Sequence, residues 1–190
     1  LRTKKGHEVF IDLVRKCDVV LDNFPANVAQ SLGLDYTLLK EANPRIIYVS
    51  TTGFGRYGPY AKRLCFDVVA QAMSGMMSYC GFSGNPPTRA AAPVVDFYDG
   101  ALAALGAMFA LYHRERTGFG QMVDVALLDS AVSYVAAIGP PAEYKLYGTE
   151  RPQLGNQSFY NFSNLFRTHD GWIFIYIISE GIWKRFLKAI

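Results

Sequence analysis

The chain has 190 residues, 51% of them hydrophobic and 18% charged, with a net charge of +3. That balance is ordinary globular material, enough for one large domain or parts of two, and without basic blocks it excludes nucleic acid as the main partner. Arg, Asp or Glu interrupts every long apolar stretch, so neither a membrane-spanning run nor a membrane partner is expected, and the scattered Cys17, Cys65 and Cys80 lack metal-ligand spacing and fit a reducing cytoplasm.

The chain opens without Met in a charged helical pattern, shows no signal peptide, and stops inside an amphipathic segment. It therefore reads as the middle of a longer protein. Residues His7 to Lys16 place Val9, Phe10, Leu13 and Val14 at helical spacing. Asp18 to Leu21 reads as a short buried strand. Ala26 to Leu32 and Tyr36 to Ala42 read as two helices split by Gly33, and Asn43-Pro44 ends the second. Arg45 to Ser50 is β-branched and strand-like. The alternation predicts a parallel α/β sheet with flanking helices.

Beyond a glycine-rich loop at residues 53–59, Asp67 to Tyr79 reads as one Met- and Ala-rich helix. Residues 81–93 are a Gly/Pro-rich connection. Val94 to Asp96 is expected to end a strand, and Asp99 to Arg114 to form a nearly wholly apolar, deeply buried helix. Met122 to Val125 reads as a strand and Ala126 to Ala137 as a helix. The Pro-, Tyr- and Asn-rich stretch from Gly139 to Asn164 reads as a linker, and Trp172 to Ile178 as a strand that starts a second unit.

Asp96 and Asp99 flank the start of the long apolar helix. An Asp there caps free N–H groups and complements the helix dipole; alternatively, it is a carboxylate nucleophile that forms a covalent acyl intermediate. Gly100 lets a ligand approach bare backbone beside it. Asn23-Phe24 follows a strand end, where open α/β sheets bind ligands, although a simple Asx turn explains it equally well. His7 and His113 are expected to be solvated, and Lys62-Arg63 and Arg114-Arg116 read as solvated surface charges, with phosphate contact the alternative for either pair. No Ser/His/Asp order and no metal-ligand spacing emerges.

An ordered set of motifs carries a resemblance over nearly the whole chain. It comprises Cys17 to Phe24, Asn43 to Tyr48, Gly53-Phe54-Gly55 with Gly58-Pro59-Tyr60, Phe66 to Ala72 with Ser74-Gly75, Asp96 to Gly100, Arg116 to Gln121, and Asp170-Gly171-Trp172. In these the sequence resembles the class III CoA-transferases, the group of formyl-CoA transferase, carnitine CoA-transferase and the α-methylacyl-CoA racemases. The resemblance implies a Rossmann-like parallel sheet within a two-domain, interlocked-homodimer fold. Residues 1–138 would then be the central part of the CoA-binding domain, 139–165 a linker, and 166–190 the start of the smaller domain. It implies acyl-CoA and a free carboxylic acid as substrates, and neither a metal nor a redox cofactor.

By motif match, Asp96 falls on the family's catalytic aspartate and Asp67 on a second acidic residue close to it. Asn23 and Phe24 would line the CoA site, and Lys62 and Arg63 sit beside the family's usual basic CoA contact. Asp99 is left as the helix cap, with backbone N–H groups near the helix start as oxyanion donors. The family's common Arg-Pro-Gly after Asn-Phe is here Pro25-Ala26-Asn27, which departs from its phosphate-binding turn. The racemase branch uses a His-Asp dipeptide where this chain has Phe66-Asp67, and Phe carries no proton, so CoA transfer is expected. An α-methylacyl-CoA epimerase and a non-catalytic CoA-binding subunit are the alternatives.

Overall fold

The computed structural model describes residues 1–190. The first half alternates helix and strand: α1 (Lys4–Val14), β1 (Val19–Asp22), α2 (Ala26–Ser31), α3 (Tyr36–Ala42) and β2 (Ile47–Thr52). Two short helices follow, α4 (Asp67–Met73) and α5 (Met76–Tyr79), and then α6 (Val94–Thr117), β3 (Met122–Ala126), α7 (Leu127–Ala137) and α8 (Pro140–Tyr147). A hairpin of β4 (Phe162–Arg167) and β5 (Trp172–Ile177) leads into α9 (Glu180–Ala189).

The α/β class expected from the alternation is present. Strands β1, β2 and β3 form a parallel sheet with β2 in the middle, Asp22 opposite Ser50 and Ser50 opposite Asp124. Every residue of β2 is buried, as a central parallel strand covered on both faces requires. On one face Ile47 and Val49 pack against Ala103 and Ala110 of α6. On the other, Ile46 and Tyr48 join Val14 of α1, Ala29 of α2 and Leu39 of α3. Strands β4 and β5 make a separate antiparallel ladder.

Several local expectations change. Val94 and Val95 do not end a strand; they open α6, with Pro93 at its N-cap. The predicted helix over 67–79 breaks at Gly75, whose φ of +81° a side chain tolerates poorly. The linker-like stretch contains α8, which starts with Pro140 behind Gly139, and the first residues of β4. Arg151, only 7% exposed, binds Glu143 of α8 and stacks on Phe159, which ties the segment after α8 back onto that helix. Arg114 is buried rather than solvated: it pairs with Asp18 at 3.0 Å and donates to the Arg45 carbonyl at 3.3 Å.

The 24-residue α6 is also long and apolar enough, by length and composition, to cross a membrane, contrary to the expectation that no stretch would be. Here it is the central helix of the α/β layer, with Val95, Ala103 and Ala110 buried against the sheet and α7. Only part of it is covered, since Leu105, Met108, Phe109 and Tyr112 are exposed.

Candidate active site

A cavity of about 570 Å³ opens where β1 and β2 end and α6 begins. This is the crevice outside the carboxyl ends of a parallel sheet, where α/β folds take their ligands. Asn23, Phe24, Arg63 and Asp96 all line it, although they come from three separate stretches of the chain. Lys62 is exposed and does not line it, and Asp67 is buried behind it. Thr51, Thr52, Gly53, Cys65, Asp99 and Gly100 complete most of the wall. Thr51 to Gly53 were legible in principle as the residues at the end of the central strand.

The mouth of the crevice is held by local hydrogen bonds. Asp22 accepts the Phe24 N–H at 2.9 Å, an Asx turn that sends the chain away from β1. The Asn23 amide donates to the Thr51 carbonyl at 3.0 Å and its hydroxyl at 2.8 Å, joining the ends of β1 and β2. Phe24 thereby presents a ring that is 42% exposed. The Arg63 guanidinium lies 4.5 Å above the Tyr60 ring. Gly53 passes so close to Cys65 that an added Cβ would sit 2.4 Å from the cysteine Cβ, which makes glycine necessary there.

The helix start is built differently from the sequence expectation. Asp67, 7% exposed, accepts the N–H of Val95 at 2.8 Å and of Asp96 at 3.1 Å through one oxygen. Its other oxygen accepts from the fully buried Gln71 amide, and Gln71 in turn accepts the Ala90 N–H at 2.8 Å. Asp67 is thus the cap of α6, supplied from another helix, and Asp99 is not. Val94 donates to the Ala92 carbonyl at 2.8 Å and Phe97 to the Pro93 carbonyl at 3.2 Å. The N–H groups at the start of α6 are therefore all spent within the protein, so none of them is free to hold an oxyanion, contrary to expectation.

Asp96 itself projects from the first turn of α6, exposed and lining the cavity. Partial burial, and then the Asp67 charge, raise its carboxyl above the usual carboxylate range. Asp99, one turn on, is 5% exposed and accepts the Ser130 hydroxyl at 2.6 Å. Burial raises its carboxyl, Ser130 opposes that, and Asp96 adds to the rise. The three carboxyls do not converge as a metal-ligand set: Asp67 faces backbone and Asp99 faces Ser130.

Comparison with known proteins places the whole of this architecture. Residues 1–190 match the model of CoA-transferase family III. The chain is 38% identical over 168 residues to a formyl-CoA:oxalate CoA-transferase of Streptomyces avermitilis, covering 83% of this chain and 41% of the relative. It is 36% identical over 195 residues to a succinyl-CoA:mesaconate CoA-transferase of Haloarcula hispanica, covering 100% of this chain and 49% of the relative. The crystal structure of a CAIB/BAIF family protein from Brucella suis superposes with a TM-score of 0.86 at 32% identity, over 99% of this chain and 50% of that one. The chain spans about half the length of the relatives it matches.

Proposed function

Because the chain belongs to CoA-transferase family III, we propose that the full-length protein moves CoA between an acyl-CoA thioester and a free carboxylic acid, with Asp96 as the covalent carrier. The observation that carries this reading is an exposed carboxylate fixed on the first turn of a helix, lining the crevice at the sheet's carboxyl edge. Its raised pKa makes the ionised form more basic and so a stronger nucleophile.

Asp96 attacks the thioester carbonyl, the C–S bond breaks, and a mixed anhydride and CoA thiolate result. The thiolate attacks the aspartyl carbonyl of the anhydride, releasing the donor acid as its carboxylate and leaving aspartyl-CoA. The acceptor carboxylate then attacks aspartyl-CoA, and the same two steps run in reverse. Each step exchanges one acyl bond for another, so electrons and charge balance without a redox partner. Asp67 holds the Asp96 backbone in place throughout, which is pre-organisation of the nucleophile rather than proton transfer. Asn23 and Phe24 shape the CoA entrance, and Arg63 lines it with positive charge.

The epimerase alternative needs a second base beside the α-carbon. Phe66 has no proton to give, and both oxygens of Asp67 are occupied by Gln71 and backbone N–H groups. These contacts favour transfer. The test is to incubate the full-length protein with a panel of acyl-CoAs, quench with hydroxylamine, and map the modified residue by mass spectrometry. A hydroxamate at Asp96 is expected; turnover with Asp96 unmodified, or deuterium exchange at the α-carbon without acceptor acid, overturns the reading.

A further inference from the structure

The connection that delivers the chain to α6 is held from outside by a segment far along the sequence. The Gln153 amide donates to the Cys80 carbonyl at 2.5 Å and to the Pro86 carbonyl at 3.3 Å. Two residues later, the Gly155 N–H donates to the Gly81 carbonyl at 2.8 Å. The seam is tight: a Cβ added to Gly155 would collide with the Phe82 ring, and one added to Gly81 would stand 3.2 Å from the Gln153 amide nitrogen. Neither Gln153 nor Gly155 lines the cavity, and the proposed chemistry gives them no part.

From this seam to the nucleophile the contacts are continuous. Pro86-Pro87 stiffens the connection, because each proline ring fixes its own φ. The Thr88 N–H donates to the Met77 carbonyl at 3.0 Å, and the Ala90 N–H to the Gln71 side chain at 2.8 Å. The Gln71 amide is bonded to Asp67, which accepts the N–H groups of Val95 and Asp96. Gln71 is fully buried and Asp67 nearly so, so neither can exchange a lost partner for water. A displacement at Cys80 to Pro86 is therefore passed to the first turn of α6 and is not absorbed by solvent.

Resting on the reading of Asp96 as acyl carrier, we propose that Gln153 is a positioning residue for that reaction. By holding the connection at Cys80 and Pro86 it sets, through Gln71 and Asp67, where the Asp96 carboxyl stands. The same segment runs on into β4, and the Ser163 hydroxyl donates to the Asn156 carbonyl at 2.9 Å. The β4–β5 hairpin is thereby joined to the nucleophile through Gln153. A contact that only stabilised the fold would change the amount of folded enzyme; a positioning contact changes the rate per folded molecule.

The experiment measures kcat, KM and amide hydrogen exchange in the full-length enzyme carrying Gln153→Ala or Gln153→Glu. Glu keeps the length of the side chain but, when ionised, donates nothing. Both variants should lower kcat about five- to tenfold per folded molecule, with KM changed less than about twofold, since small misplacements of a reacting group are costly. Exchange at the Val95 and Asp96 amides should quicken at least about fivefold while the β2 amides keep their protection. If Gln153 acts through Gln71, the kcat losses of Gln153→Ala and Gln71→Leu combine to well below their product. Unchanged kcat in the variants, losses that multiply in the double variant, or exchange at Val95 and Asp96 that is unaltered or no faster than in β2 overturns the proposal. Either Gln153 substitution alone decides, so instability of one leaves the test intact. Failure of the underlying reading looks different: the unmodified enzyme forms no hydroxylamine-trapped Asp96 adduct, and both inferences fall together.

Discussion

The Asp67 carboxylate accepts the backbone N–H of Asp96 at 3.1 Å, 29 residues along the chain, and of Val95 at 2.8 Å. The acidic residue that the resemblance sets beside Asp96 is thereby the anchor of its helix, with both carboxyl oxygens taken up by Gln71 and backbone N–H groups.

Replacing Asp67 by Ala removes a helix cap and leaves the buried Gln71 amide without an acceptor. Loss of a cap costs about 1 kcal/mol, and a stranded buried donor about 1–3 kcal/mol more. Urea unfolding of Asp67→Ala should show a fall of roughly 2–4 kcal/mol with an unchanged m-value. A loss under about 0.5 kcal/mol, the range of an ordinary surface substitution, would contradict the capping role.

Asp96→Ala changes an exposed side chain and should leave the melting temperature nearly unaltered. CoA transfer by the full-length enzyme should fall by at least about 10³-fold, because the covalent route is lost. Transfer close to the unmodified rate would exclude Asp96 as the carrier.

Gln71 is fully buried and joins Asp67 to the backbone at Ala90. Gln71→Leu deprives Asp67 of its amide donor and leaves the Ala90 N–H without its acceptor. A positioning role predicts that kcat drops more than KM rises, with Gln71→Glu behaving worse than Gln71→Leu because it sets a second carboxyl against Asp67. Equal kcat in all three proteins would confine Gln71 to stability.

The pH dependence has a definite sign. Burial lifts the Asp99 carboxyl above its unfolded value, so between the two values the folded state holds a proton that the unfolded chain has released. Stability therefore falls as pH rises from the ordinary carboxylate range through the raised one. Asp99→Asn should flatten that decline, measured as urea midpoints at successive pH values; Asp96 and Asp124, shifted in the same direction, keep part of it. In activity, the acid limb of kcat/KM should sit above the usual Asp value, because only ionised Asp96 attacks.

Gly53→Ala should displace Cys65, since the new Cβ would lie 2.4 Å from the cysteine Cβ. Overpacking of this kind costs about 1–3 kcal/mol. Adding Cys65→Gly should recover part of the loss, a coupling that a double-mutant cycle reads directly.

The sheet was legible in the sequence because β2 is apolar enough to be covered twice and Asn43-Pro44 marks its approach. Helix α3 was legible to the residue, from Tyr36 to Ala42. The start of α6 was not. Val94 and Val95 favour strand locally, and the cap that turns them into helix comes from Asp67, which no local window includes. The burial of Arg114 was hidden for the same reason: its partners Asp18 and Arg45 lie far back in the chain. At the site, position along strand ends gave Asn23 and Phe24. The exhaustion of the α6 N–H groups needed the connection at Ala92 and Pro93 to be seen in three dimensions.

The central place of β2 has a consequence for how the chain is made. Its first neighbour, β1, precedes it closely, but the second, β3, is synthesised only after α4, α5 and all of α6. The Tyr36 hydroxyl likewise waits for the Gly120 carbonyl, 84 residues later. On the ribosome, β2 therefore emerges with one hydrogen-bonding edge open and an apolar face bare for the time that translation of that stretch takes. Contacts this distant in sequence slow folding and prolong exposure of an unpaired edge. Aggregation during synthesis should accordingly track the arrival of β3, and chaperone demand should drop once Met122–Ala126 has cleared the exit tunnel.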